Sequence, residues 1–146
     1  MGTTAIAGLA AMALIGATAV RASEHEVQML NRGEEGMMVF EPAYLQIAPG
    51  DTVRFVPTDP GHNAETVRGM IPDGAEPFKG RIGQEVTVTF DVEGAYGYMC
   101  LPHFAMGMVG LIVVGEDPGN LDAAEGARVP PKARERYDGY FAQARQ

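Results

Sequence analysis

The segment EVTVTFDV, residues 85–92, alternates apolar and polar side chains along its length. Its valines and phenylalanine would face one side and its threonines the other, which is the pattern of a half-buried β-strand. Turn-forming groups such as Pro49-Gly50-Asp51 separate several further short segments that also fit strands: HEVQML, MMVFEP, YLQIAPG, DTVRFVP, AYGYMC and MVGLIVVG. This spacing predicts an all-β Greek-key sandwich or barrel over residues 23–115.

Beyond Gly115 the pattern changes from strand to helix. Residues 116–129 are rich in turn formers, with room for one helical turn. Pro130 and Pro131 can begin a helix, because proline is tolerated in the first turn. Apolar side chains then recur at helical spacing at Ala133, Tyr137, Tyr140, Phe141 and Ala144. We therefore expect a C-terminal helical extension, residues 116–146, packed on the sandwich.

The first 22 residues differ in kind from the rest. From Thr3 to Val20 they carry no charge, and they end in the small-residue pattern Val20-Arg21-Ala22, which suits signal peptidase. We expect a secretion signal over residues 1–22, although no Lys or Arg precedes the apolar run. A transmembrane anchor is the alternative, for which the run is barely long enough.

Charge and cysteine content narrow the function classes. The formal net charge is -8, and removal of residues 1–22 takes away only the positive charge of Arg21, which leaves -9. Such an acidic chain is a poor nucleic-acid binder. Export would place it in an oxidising compartment, but its single cysteine, Cys100, has no internal partner. That cysteine is a free thiol, an intermolecular link or a metal ligand.

The segment CLPHFAMGM, residues 100–108, carries this cysteine together with His103, Met106 and Met108. One cysteine, two histidines and a weak axial methionine form the blue-copper electron-transfer site. The segment supplies all of these except one histidine. Met108 begins a predicted strand and is better anchored than Met106, but spacing alone leaves both methionines open as the axial ligand.

His25 and His62 are the remaining histidines. His25 lies next to the mature N-terminus, where chains are poorly fixed. His62 follows a strand, within the turn TDPGHNAET, and a loop at one end of a sandwich can meet another such loop. We therefore expect His62 to complete the site.

Other interpretations of the same residues stay open at this point. A lone cysteine is often a small apolar core residue, and methionine often fills gaps. Structural zinc is possible, but it favours closed sets of Cys and His without thioether. A Cys-His hydrolase is also possible, but its base normally comes from elsewhere in the fold, and no clear third member is present.

Taken together, these segments resemble the cupredoxins, and within that family the pseudoazurins most closely. The resemblance rests on the spacing C-x-x-H-x-x-x-x-M, the upstream PTDPGHNAE, the N-terminal HEVQMLNRGEEGMMVFEPAYLQIAPGD and the C-terminal NLDAAEGARVPPKARERYDGYFAQ. It covers essentially all of residues 23–146. The resemblance implies one copper ion, with Met108 rather than Met106 as the axial ligand. The full ligand set that it implies is His62, Cys100, His103 and Met108.

The resemblance also implies a function. A soluble, monomeric periplasmic carrier would pass single electrons from respiratory donors, such as a c-type cytochrome, to denitrification enzymes such as nitrite reductase. It would not be an enzyme, since a complete ligand set leaves no open position for substrate. Periplasmic copper storage or delivery is the alternative, but ligands fixed at strand ends argue for retention.

Further roles follow from the same resemblance. The backbone N–H of Asn63 would point at the Cys100 sulfur, and Met38 would pack beside the exposed His103, through which electrons would leave. Partner proteins would dock on this face. Three residues match basic positions around it, while Pro60 and Met99 stand where lysine is expected. The three residues, called the basic collar below, are Arg32, Lys79 and Arg81.

Overall fold

The computed structural model of the chain describes Gly2 and residues 20–146. The predicted secretion signal, residues 1–22, lies almost entirely outside the described residues. The signal, and the domain boundaries that depend on it, therefore stay predictions. Within the described part, no helix is both long enough and apolar enough to cross a membrane.

Residues 20–146 form short strands, two α-helices and one 3₁₀ helix. The strands are β1 Glu24–Gly33, β2 Gly36–Glu41, β3 Tyr44–Ile47, β4 Asp51–Val56, β5 Glu65–Thr66, β6 Val86–Phe90, β7 Gly94–Met99 and β8 Val109–Val114. The helices are the 3₁₀ helix Leu101–Met106, α1 Leu121–Glu125 and α2 Pro131–Ala144.

The strands build two four-stranded sheets, with the orders β2-β1-β4-β6 and β3-β8-β7-β5. β1 runs parallel to β4, and β3 parallel to β8. Parallel neighbours need crossover connections, and here the chain makes them by passing repeatedly from one sheet to the other. The predicted all-β Greek-key sandwich is therefore confirmed.

Aromatic side chains join the two sheets. The Tyr98 ring, on β7, lies 4.8 Å from the ring of Phe40 on β2 and 5.0 Å from that of Phe55 on β4, all edge to face. Such pairs stabilise a core beyond the effect of burial alone. Alternate side chains of β4, including Val53 and Phe55, are buried because successive residues of a strand face opposite sides.

The helix α2 packs its apolar stripe against β8 of the second sheet and against the 3₁₀ helix. Its Tyr137 hydroxyl donates a hydrogen bond to the Tyr98 carbonyl at 2.8 Å. The predicted helical tail is therefore confirmed. The buried side chains of the helix are Ala133, Tyr137, Tyr140 and Phe141.

Two loops meet at one end of the sandwich, called the metal end below. Residues 57–64 lead from β4 to β5, and residues 100–108 lead from β7 to β8. The short strand β5 pairs with β7 through Glu65 and Met99. This pairing sets the end of the first loop directly beside Cys100.

Candidate metal centre

The loop of residues 100–108 is held by its own main chain. The Cys100 N–H donates to the Met108 carbonyl at 3.0 Å, and the Met108 N–H donates to the His103 carbonyl at 3.1 Å. Gly107 follows the 3₁₀ helix with a φ of 86°, a left-handed conformation that glycine adopts without steric cost. The spacing of the three candidate ligands on this loop is therefore fixed.

His62 is fully buried and turns one ring nitrogen toward that loop. Its Nε2 lies 2.8 Å from the Asn31 side-chain oxygen, which can only accept. Nε2 therefore carries the proton, and Nδ1 keeps a free lone pair. Asn31 is itself fixed, because its main-chain N–H donates to the Asp59 carboxylate at 2.7 Å. Partners of this kind orient metal-binding histidines.

Three donor atoms meet between the two loops: Nδ1 of His62, Nδ1 of His103 and Sγ of Cys100. The nitrogens are 3.1 Å apart, and the sulfur lies 3.7 Å from the His62 nitrogen and 3.5 Å from the His103 nitrogen. A circle through points so spaced has a radius of about 2.0 Å, close to metal–nitrogen and metal–sulfur distances of about 2.0–2.3 Å for a first-row ion. The donor set therefore fits one trigonal metal ion.

The two methionines of the loop lie in different surroundings. Met108 is fully buried in the core beside Cys100, whereas Met106 is 43% exposed at the surface. The burial of Met108 agrees with its expected place inside the site. Met106 instead forms part of the outer surface of the loop.

The electrostatics of the site suit a cation. Burial raises the pKa of the Cys100 thiol, while main-chain N–H groups of Asn63 and His103 act in the opposite direction. Burial also lowers the pKa of His62, with a further contribution from neighbouring His103. Without a cation the thiol would keep its proton. A metal ion instead stabilises the thiolate and binds neutral imidazole, so the donor set matches its needs.

The Asn63 side chain connects the two loops. Its Oδ1 accepts a hydrogen bond from the Leu101 N–H at 2.7 Å, and its Nδ2 donates to Glu65 at 2.9 Å and to the Gly80 carbonyl at 3.1 Å. The family resemblance predicted the main-chain N–H of Asn63 next to the Cys100 sulfur, but it did not predict this side-chain bridge. Asn31 was also missed, because nothing local in the sequence connects it to His62.

Exposed apolar side chains surround the loop at the metal end. Met37 lines a groove with Met106, and Ile82 lines another with Leu101. Each of the four is at least 43% exposed. The four side chains thus lie in two separate grooves at this end. We call this group of four residues the apolar rim.

The basic collar borders the apolar rim. Arg32 pairs with Met37 across the β1–β2 ladder, and Lys79 and Arg81 line the groove that contains Ile82. All three basic residues are exposed. They therefore place positive charge beside the apolar rim.

His25 and Met38 have contacts of their own. His25 lies outside the cluster, and its Nε2 is 2.9 Å from the Asp51 carboxylate. Met38 is half-buried, with its carbonyl bound to Arg136 at 2.8 Å. The predicted packing of Met38 beside His103 stays a prediction.

The fold and the donor set define a copper-binding cupredoxin. Residues 27–115 match the family described as copper binding proteins, plastocyanin/azurin family, and the chain belongs to that family. Pseudoazurin of Paracoccus pantotrophus is 54% identical over 122 residues, which are 84% of each chain. Pseudoazurin of Methylorubrum extorquens is 48% identical over 141 residues, which are 95% of each chain.

Solved structures agree with these relatives. The crystal structure of pseudoazurin from Methylobacterium extorquens superimposes with a TM-score of 0.80 at 52% identity, over 82% of this chain and 98% of that one. The structure of pseudoazurin from Hyphomicrobium denitrificans superimposes with a TM-score of 0.78 at 45% sequence identity, over 82% of this chain and 97% of that one. The chain is thus a blue-copper electron-transfer protein that binds one copper and works with redox proteins. It is a carrier and not an enzyme.

Proposed function

We propose that four residues hold the copper and that the mature chain, residues 23–146, is a periplasmic one-electron carrier. The observation that carries this proposal is the convergence of three donor atoms, from two loops, on a triangle of metal-binding size. Bound copper supplies the Cu(I)/Cu(II) couple. The sheets and loop hydrogen bonds hold the donors in place, so little rearrangement accompanies electron transfer. The four ligands are His62, Cys100, His103 and Met108.

His103 is the point of electron exit in this proposal. Among the proposed ligands, His62, Cys100 and Met108 are buried, whereas His103 is half-buried on the loop between Leu101 and Met106. A partner that covers the rim therefore approaches the centre most closely at His103. The burial of the other ligands also argues against copper storage or delivery, since a delivery site must release its metal readily.

The basic collar supports an acidic partner surface. We propose a denitrification enzyme such as nitrite reductase as the acceptor and a c-type cytochrome as the donor, with a monomeric carrier between them. Charge complementarity acts mainly on the association rate, and salt screens it over about 10 Å at 0.1 M. Arg32 adds to the same field from the other side of the rim.

Electron transfer to a nitrite reductase, followed across ionic strength, tests the partner proposal. Lys79→Glu with Arg81→Glu should slow the reaction and flatten its salt dependence. The same reversal at Arg128, which lies outside the collar, should change it little. A rate that depends neither on ionic strength nor on the reversals at Lys79 and Arg81 would mean that apolar contact alone docks the protein.

The optical spectrum of the Cu(II) protein tests the ligand set. A thiolate–Cu(II) site gives an intense visible band, and Cys100→Ser should abolish it, because a hydroxyl is a hard and mostly protonated donor. Met106→Leu, on the same loop, should keep the band and serves as the matched control. A Cys100→Ser protein with an unchanged band would refute the ligand set.

The proposed export has its own test. We propose residues 1–22 as the signal, 23–115 as the sandwich and 116–146 as the helical extension. Expression of the full chain in a bacterium, followed by N-terminal sequencing of the periplasmic fraction, should give a chain that begins at Ser23. An uncleaved chain in the membrane fraction would favour the anchor.

A further inference from the structure

Arg136, on α2, donates hydrogen bonds to three main-chain carbonyls outside its own helix. Its Nη1 lies 2.7 Å from the Gly107 carbonyl and 2.8 Å from that of Met38, and its Nη2 lies 2.9 Å from that of Met37. A guanidinium presents its donors in a rigid planar fork. One side chain therefore fixes two separate segments of backbone relative to each other.

The first segment is the end of the metal-binding loop. Gly107 immediately precedes Met108, and the helix approaches it so closely that a Cβ at Gly107 would lie 3.0 Å from the Lys132 carbonyl. The Met108 N–H, in the peptide whose carbonyl Arg136 binds, donates to the His103 carbonyl at 3.1 Å. A shift of this peptide would thus move two proposed ligands together.

The second segment lies behind His62. The ladder between β1 and β2 omits the pair Asn31–Met38, and Met38 has a φ of 52°, unusual for a residue with a side chain. Such a conformation persists only where the surroundings hold it. Arg136 supplies that support through the carbonyls of Met37 and Met38. Across the strand pair, Asn31 binds the ring of His62.

We infer that Arg136 is a positioning residue of the metal centre. It connects the peptide before Met108 with the strand position opposite Asn31, and so keeps the donors of the two loops in register. The C-terminal helix is then part of the support of the site as well as a cover for the sheet. This inference rests on the proposed ligands.

The variant Arg136→Gln tests the inference, because glutamine can donate but is too short to reach both segments. Changes in the outer support of a metal site typically cost 10–100-fold in affinity, so we expect loss of copper to a chelator to be faster by about 10-fold. The reduction potential and the ratio of the visible bands should also change. Arg136→Lys keeps the charge without the fork and should give intermediate values.

Arg134→Gln is the matched control. Arg134 is on the same helix and is also half-buried, and its guanidinium donates to the Ala127 carbonyl at 2.7 Å, outside the metal-binding loop. Its replacement should lower thermal stability while the spectrum, potential and chelator rate stay at wild-type values. A merely structural arginine at position 136 would behave in the same way.

A second measurement uses the metal-free protein. Hydrogen exchange at the Met108 N–H should accelerate in Arg136→Gln but not in Arg134→Gln. The inference is overturned if the two variants match in exchange and in chelator rate. If Arg136→Gln does not fold, Arg136→Lys decides by the same comparison. A wild-type protein without a thiolate–copper band would refute the ligand set alone, since the exchange comparison needs no copper.

Discussion

Replacement of Asn63 by alanine would disconnect the two loops that carry the proposed ligands. Asn63 is 2% exposed, and its side chain makes three hydrogen bonds, to the Leu101 N–H, the Glu65 carboxylate and the Gly80 carbonyl. Each contributes a net of about 1 kcal/mol, so their combined loss should cost about 3 kcal/mol. Glu65 and Gly80 are buried and would be left without a replacement partner, which keeps the cost from being smaller.

Urea unfolding of the metal-free protein measures this cost. With a slope of about 2 kcal/mol per M, the midpoint should fall by about 1.5 M. Asn120→Ala is the control, because Asn120 bridges the N–H and carbonyl of Ala95 at 2.7 and 2.9 Å, far along β7 from Cys100. Both variants should lose stability, but only Asn63→Ala should release copper faster. A midpoint shift below about 0.5 M would refute the reasoning.

Three further outcomes are expected. Met108→Gln should keep copper and lower the reduction potential measured by voltammetry, because a weak axial ligand tunes the potential more than it holds the metal. Met106→Leu should shift the potential little. A larger shift in Met106→Leu than in Met108→Gln would make Met106 the axial ligand. Tyr98→Phe should stabilise the protein by about 1 kcal/mol in thermal unfolding. Among the described residues, the Tyr98 hydroxyl is the buried side-chain polar atom without a hydrogen-bond partner. A clear loss of stability in the variant would mean that the hydroxyl does have a partner. As pH falls, the metal-free protein should lose stability in urea unfolding, because the buried His62 must then take up a proton. Burial lowers the pKa of His62 below its ordinary 6.5, so the stability from its neutral form is present above that value and is lost as pH falls through the lowered one. An unfolding midpoint that does not fall over this range would contradict the expectation.

Local patterns were enough to predict much of the fold. The alternation in residues 85–92 predicted β6, and the helical spacing of Tyr137 and Phe141 predicted the buried face of α2. These predictions succeed because each depends on the side chains of one element. The candidate ligands were also visible, since three of them lie on one loop and the choice of histidine was small.

The supports of the site could not be found in this way. Asn31 contacts His62, which is 31 residues away in the sequence, and Arg136 contacts Met38, which is 98 residues away. Such contacts depend on how strands and helix are arranged in space, and neither residue belongs to a local motif. The left-handed backbone of Met38 was likewise hidden, because methionine gives no signal for that conformation.

The loop that carries His62 connects the two sheets, and this has a thermodynamic consequence. The loop leaves β4 of the first sheet and enters β5 of the second, and its His62 ring is held by Asn31 on β1 of the first sheet. Cys100 follows β7 of the second sheet. The proposed donor set is therefore complete only while the sandwich is closed, and copper bound there would act as a reversible cross-link between its layers. Free copper at about 1,000 times its dissociation constant would add about 4 kcal/mol to the free energy of unfolding. The melting temperature should thus report copper occupancy, and a chelator should lower it without any change of sequence.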